Sequence, residues 1–318
     1  MPNRSRRQLR QAALLAFLLS LTAAPAMVED AAASASFVAV PMPYSGAEGG
    51  WSGIDVAPDG TAFWAVSDAG YRTSGRLLRQ AGVLSGIDAA PPERLPGLFG
   101  RPEIQEADDA EGIDAGTDGR EIWLSFEGFV RLRRYAGPDL SAHWVPDVPR
   151  SAQMPKNFGF EALARDRSGV AYAIPEVPIA TGPGGRAFPV YRFAPKGGVW
   201  SVPVLLSFDS DWLVVGADFG PDGLLYVLER RLRGIAFASR TRRFALPTDG
   251  TPAPAALTGE EVYRSALGVH GNLEGIGMWR DAKGRIRAVL IADDNHIRFQ
   301  RSQIVEVTLP LASSARGE

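Results

Sequence analysis

The chain has no cysteine and only three histidines, His143, His270 and His296. The first absence excludes disulfides and any zinc or redox chemistry built on thiolates. A secreted chain of this kind must be held by its core or by bound ions. Neither H-E-x-x-H nor G-x-S-x-G occurs, so the usual metalloprotease helix and the serine-hydrolase elbow are missing too. There is no surplus of positive charge either: 34 Lys and Arg face 36 Asp and Glu. Nucleic acid, whose phosphates call for a basic face, is not an expected partner.

The N-terminus carries the pattern of an export signal. A basic stretch, RSRRQLRQ, precedes the apolar run Ala12–Ala24 and the small-residue site Ala24-Pro25-Ala26. The run is shorter than the roughly 20 residues of a transmembrane helix, so no membrane association is expected after cleavage. Ser5-Arg6-Arg7 hints at twin-arginine export, with the Sec route open as well. The expected division is a signal at 1–26, a linker at 27–36, one domain at 37–311 and a tail at 312–318. Without residues 1–26 the balance becomes 30 basic against 36 acidic residues. The expected location is the periplasm or the medium, and a monomer is expected.

With 35 Gly and 24 Pro and no helix-period pattern after residue 26, the chain reads as strands and turns. Five segments repeat one grammar: 51–70, 110–128, 160–176, 215–230 and 273–294. Their small anchors Gly53, Gly112, Ala162, Gly216 and Gly275 recur at intervals of 59, 50, 54 and 59 residues. In each, a short strand reaches a turn (PDG, TDG, RSG, PDG, AKG) and a longer apolar strand returns. Asp-Gly favours type I′ hairpins, so Asp59, Asp118 and Asp222, and with them Asp166 and Asp281, read as structural. Each repeat has room for four strands, which predicts an all-β fold: a β-propeller of five to six four-stranded blades. A sixth blade would have to lie in 71–108 or 129–158. Residues 35–42 and 302–310 could pair to close the ring. Residues 180–189 and 247–261 read as loops. Trp51, Trp64, Trp123 and Trp279 fall at regular hairpin positions that suit inter-blade packing.

The returning strand ends in an acid in every repeat: Asp68, Glu127, Glu176, Glu229 and Asp293. The incoming strand carries Glu111, Glu161 and Glu274, with Ser52 and Val215 in the other two repeats. Residues equally far from a hairpin turn face one another, and a propeller orients its blades alike. These carboxylates are therefore expected at one channel mouth, where mutual repulsion favours uptake of a proton or a cation. Oxygen-only donors suit Ca²⁺ first, then Mg²⁺ or Mn²⁺. Arg72, Lys156, Arg230 and Arg231 are candidates to hold a substrate anion, and His296, after Asp293-Asp294-Asn295, could act as a ligand or proton donor.

EGID (111–114), FEALA (160–164), GADFGPDGLLYVLERR (216–231), NLEGIGMW (272–279) and IADDN (291–295) together make the chain resemble the phytase-like family, the esterase-like activity of phytase domain. The resemblance implies an exported propeller acting on phosphoesters through Glu111, Glu127, Glu161, Glu176, Glu229, Glu274 and Asp293. The expected activity is metal-dependent hydrolysis of a small-molecule phosphoester, with Glu111, Glu161, Glu274 and Asp293 as catalytic candidates. The alternatives are a non-catalytic Ca²⁺- or ligand-binding propeller and a lactonase-like carboxylester hydrolase.

Overall fold

The computed structural model describes residues 37–44, 48–98, 109–149, 154, 159–182, 184–247, 255–295 and 300–311. The expected signal, linker and tail lie outside these residues, as do Lys156 and His296. Among the described residues there are five antiparallel sheets and no α-helix. The first blade runs β2 (Trp51–Val56), β3 (Ala62–Ser67), β4 (Tyr71–Gln80) and β5 (Val83–Ala89), with the two-residue β6 (Glu93–Arg94) beside β4. The second is β7 (Ala110–Asp114), β8 (Glu121–Phe126), β9 (Arg131–Ala136) and β10 (Ser141–Trp144). The third is β11 (Phe160–Arg165), β12 (Ala171–Pro175), β14 (Gly185–Ala194) and β15 (Val199–Ser207), with β13 (Ala180–Gly182) against β14. The fourth is β16 (Leu213–Phe219), β17 (Leu225–Arg233), β18 (Ala236–Phe244) and β19 (Glu260–Arg264).

The fifth blade closes the ring. It is β20 (Asn272–Arg280), β21 (Ile286–Asp293) and β22 (Gln303–Leu309), with the N-terminal β1 (Phe37–Pro41) outermost. Phe37 lies opposite Val307, and Pro41 opposite Gln303, so the two ends pair as expected. The blade count is five. The stretches in which a sixth blade could have lain supply the outer strands of the first two blades. The stretch 180–189, expected as a loop, instead contributes β13 and the start of β14.

The core is divided into five apolar slabs, each between two neighbouring blades. Val214, Leu225 and Val227 of the fourth blade pack with Ala162, Ile174 and Val190 of the third. Val215 and Leu228 pack instead with Leu273, Ile276 and Leu290 of the fifth. Alternation along a strand thus feeds two interfaces at once, and both faces must be apolar. Each fully buried Val, Leu, Ile or Phe contributes about 1.5–3 kcal/mol. The tryptophans join blades: a Cβ on Gly60 of the first blade would meet the Trp279 ring at 2.4 Å, and one on Gly119 of the second would meet Trp64 at 2.2 Å.

The repeat's small anchors have a packing cause. A Cβ on Gly53 would fall 2.4 Å from the Glu111 carbonyl oxygen, and one on Gly275 2.6 Å from the Ile54 amide nitrogen. The inner strands of adjacent blades approach too closely there for a larger residue. The five turn glycines, Gly60, Gly119, Gly169, Gly223 and Gly284, all have positive φ, but the residue before each does not. Type I′ turns are therefore ruled out; the turns place one left-handed glycine after a right-handed bend. The turn aspartates are structural, as expected. Asp59 Oδ1 accepts from the Thr61 amide at 2.9 Å, and Asp281 Oδ1 from the amides of Lys283 and Arg285, both at 2.9 Å.

His270 lies at the closing seam, buried, with Nε2 2.7 Å from Tyr263 Oη and its ring edge-on to Phe37. Burial pushes its imidazole down to about 4. A histidine with a depressed folded-state pKa contributes stability that is present above about pH 6.5 and is lost as pH falls towards 4, by at most about 3 kcal/mol. Urea unfolding at several pH values should show this slope in the wild type. It should be reduced in His270→Gln, which keeps a partner for Tyr263 but does not titrate. Equal slopes would assign the acid sensitivity to other groups.

Candidate metal centre

The inner strand of every blade carries a β-bulge. In β2 the register jumps between Trp51 and Gly53, in β11 between Phe160 and Ala162, in β16 between Val214 and Gly216, and in β20 between Leu273 and Gly275. In β7 it jumps between Ala110 and Ile113. The extra residues are Ser52, Glu161, Val215 and Glu274, with Glu111 and Gly112 sharing the bulge in β7. A bulge re-aims a side chain that the strand's alternation would otherwise bury in a blade face. Glu161 and Glu274 thereby come close enough to Glu111 to raise its pKa: Glu111 is held well above the carboxylate range, first by burial and then by Glu161, Asp109, Glu127 and Glu274. Glu161 is raised well above its ordinary value as well, by burial and then by Glu176 and Glu127, with Arg230 opposing.

The ends of the returning strands complete the group. The backbone amides of Asp68, Glu127 and Glu176 bond to the carbonyls of Gly50, Asp109 and Gly159, at 2.9, 3.0 and 3.2 Å. Asp293 pairs with Asn272. These acids occupy one level of the ring. Two triads result, each with carboxylate oxygens within 4.8 Å of one another: Asp109, Glu111 and Glu127, then Glu127, Glu161 and Glu176. Glu127 belongs to both. On the other side Asp293 is raised well above its ordinary range by burial, then by Glu274 and Asp68.

The fourth blade departs from the sequence expectation. Glu229 pairs with Val214, and Arg230 with Leu213, so Arg230 stands at the level that the acids hold in the other four blades. Glu229, one residue earlier, faces the opposite way. It is fully buried and accepts from Arg240 Nε at 2.7 Å and from Arg242 Nε and Nη2 at 2.8 and 2.6 Å. It is an internal ion-pair centre and does not join the mouth. A one-residue slip reverses a strand side chain's direction.

Arg230 enters the acidic group. Its Nη1 donates to Asn272 Oδ1 at 2.6 Å and to Glu274 Oε1, and its Nη2 to Glu176 Oε1 at 3.1 Å. These bonds oppose, without overcoming, the effect of burial: Glu176 and Glu274 both stay above the ordinary carboxylate range. Arg230 therefore positions two carboxylates. Two other cations expected at the site, Arg72 and Arg231, are elsewhere. Arg72 pairs with Glu93 at 2.7 Å, and Arg231 stacks on Trp212.

Three participants escaped the sequence reading. Asp109 lies two residues before Glu111, Asn272 donates from Nδ2 to Glu274 Oε1 at 2.7 Å, and buried Asp294 adds to the field on Asp293. Only the paired acids around 108–111 and 293–294 could have signalled the first and last. The donor set is oxygen-only, buried and self-repelling, which fits a hard divalent cation.

These features define a five-bladed β-propeller with a carboxylate-lined site on its inner strands. The chain belongs to the Phytase-like family, described by the esterase-like activity of phytase, whose model matches residues 47–296. No curated protein matches the chain. Among solved structures it is similar to a chain of a nidogen/laminin complex, at 11% identity and a TM-score of 0.44, covering 77% of this chain and 75% of that one. It is also similar to a Dyadobacter fermentans protein of unknown function, at 12% identity and a TM-score of 0.44, covering 81% and 75%.

Proposed function

We propose that the protein is an exported, metal-dependent phosphoester hydrolase. The observation that carries this reading is the pair of carboxylate triads joined through Glu127. Asp109, Glu111, Glu127, Glu161 and Glu176 would hold the cation, Ca²⁺ first, with Mg²⁺ or Mn²⁺ as substitutes. When bound, such an ion supplies charge stabilisation for phosphate oxygens and lowers the pKa of water. The chain's own part is orientation and proton storage. Arg230 fixes Glu176 and Glu274, and Asn272 fixes Glu274 from a second direction. In the cation-free protein, burial and the neighbouring carboxylates hold Glu111 and Glu161 well above the ordinary carboxylate range, so cation binding would release protons from them. Export rests on the basic, apolar and small-residue pattern of residues 1–26.

The test is release of phosphate from phosphomonoesters and phosphodiesters, with carboxylesters and lactones alongside, in Ca²⁺, Mg²⁺ or Mn²⁺ and in chelator. Metal-dependent phosphate release is expected. Each active cation should also raise the melting temperature in a concentration-dependent way, because it binds only the folded protein. Inactivity on every phosphoester with all three ions would overturn the hydrolase reading. If thermal stabilisation persisted in that case, the propeller would be a non-catalytic cation binder. Turnover confined to carboxylesters or lactones would move the reaction class.

A further inference from the structure

The slab between the first and second blades is incompletely filled. Val66, Ile113, Ile122, Leu124 and Tyr135 are buried there, with Trp64 packed against them. The same side chains line a cavity of about 260 Å³. Protein interiors hold few voids larger than a water molecule, and an apolar cavity of about 150 Å³ is already enough to take up benzene. Arg72 and Glu93 also line this one, with 26% and 68% of their side chains exposed, so it is reached from solvent. None of the carboxylates of the mouth belongs to its described lining.

The polar part of the lining has one unused donor and no surplus charge. Arg72 Nη2 donates to Glu93 Oε2 at 2.7 Å, so its charge is matched. The Thr73 hydroxyl donates to the Ala90 carbonyl at 2.6 Å. Arg72 Nε, by contrast, is buried and has no acceptor among the described residues. A buried donor without a partner carries a desolvation cost that an incoming acceptor would offset.

We infer that this cavity is a binding site for a small neutral molecule with one aromatic ring and one hydrogen-bond acceptor, of the class of aryl ketones and aryl esters. The ring lies among the aliphatic side chains, where Trp64 and Tyr135 offer edge and face contacts. The acceptor meets Arg72 Nε. A neutral ligand is required because Glu93 already balances Arg72. The site stands apart from the carboxylates and does not depend on the hydrolase reading.

Acetophenone and ethylbenzene differ in the carbonyl oxygen and serve as probes, titrated by calorimetry in chelator. Acetophenone should bind the wild type and raise its melting temperature in a concentration-dependent way. Ethylbenzene should bind at least fivefold more weakly. Arg72→Leu removes the donor and leaves Glu93 an exposed carboxylate, so the two probes should bind this variant alike. Leu124→Phe fills the cavity from β8 and should abolish binding of both probes without lowering the melting temperature of the free protein. Should that variant fail to fold, Ile122→Phe makes the same test from two residues earlier on the same strand face. Wild-type protein that binds neither probe up to its solubility limit would overturn the site, as would folded cavity-filled protein that binds acetophenone like the wild type. Equal affinity of the wild type for the two probes would overturn the pairing of a ligand acceptor with Arg72.

Discussion

Glu127→Gln should lower metal-dependent turnover at least a hundredfold and weaken cation binding at least tenfold, without lowering the stability of the cation-free protein. The three effects share one cause. Glu127 is the only residue common to both carboxylate triads, so losing its charge depletes both sides of the site. It also appears among the repelling charges on Glu111 and on Glu161. Removing it relieves a cluster whose members already resist ionisation, and the isosteric amide keeps the packing. Calorimetric cation titration, turnover and urea unfolding check the three parts. Glu176→Gln is the contrasting variant. That carboxylate is paired with Arg230, so its loss strips a buried guanidinium of one partner and should destabilise the fold. If Glu127→Gln bound cations like the wild type, the triads would not be the metal centre.

The sequence carried the fold in its punctuation. Five turns with glycine and five small anchors, four glycines and Ala162, announced the hairpins, because a left-handed turn position favours glycine and the close contact of inner strands admits only small residues. The blade number was blurred by outer strands such as β4, β5, β9 and β10, which vary in length and lack an anchor. The acids of the first, second, third and fifth blades were legible as a group for the same reason: they sit at fixed places relative to the anchors. Two physical features hid the rest. A bulge leaves no compositional trace: Glu111 lies seven residues before Asp118 and Glu127 eight after Gly119, and the sequence does not say which residue is displaced. In Leu228-Glu229-Arg230-Arg231, three successive charges offered three candidates for one ring position, and only the hydrogen-bonded register separates them. Asn272 was overlooked because an uncharged donor beside Glu274 resembles any other strand residue.

That register also separates stability from binding in the fourth blade. Glu229→Gln should destabilise the protein by about 3–5 kcal/mol while leaving cation affinity at the mouth unchanged. Glu229 is fully buried and its two oxygens accept three bonds from Arg240 and Arg242. An amide can accept at only one of the two positions and presents a donor at the other, facing a guanidinium. Part of the loss is absorbed, because Arg240 keeps Asp209 at 2.6 Å and Arg242 keeps the Ser207 carbonyl at 2.9 Å. The remaining cost is that of a buried positive charge with incomplete compensation, which exceeds the strength of any single bond removed. Urea unfolding and a cation titration on the same variant measure the two quantities independently. A stable variant that had lost its cation would put Glu229 among the ligands, as its sequence position suggests. An unstable one that still binds would leave Arg230 as the fourth blade's contribution to the mouth, a fixed internal cation among carboxylates from the other four blades.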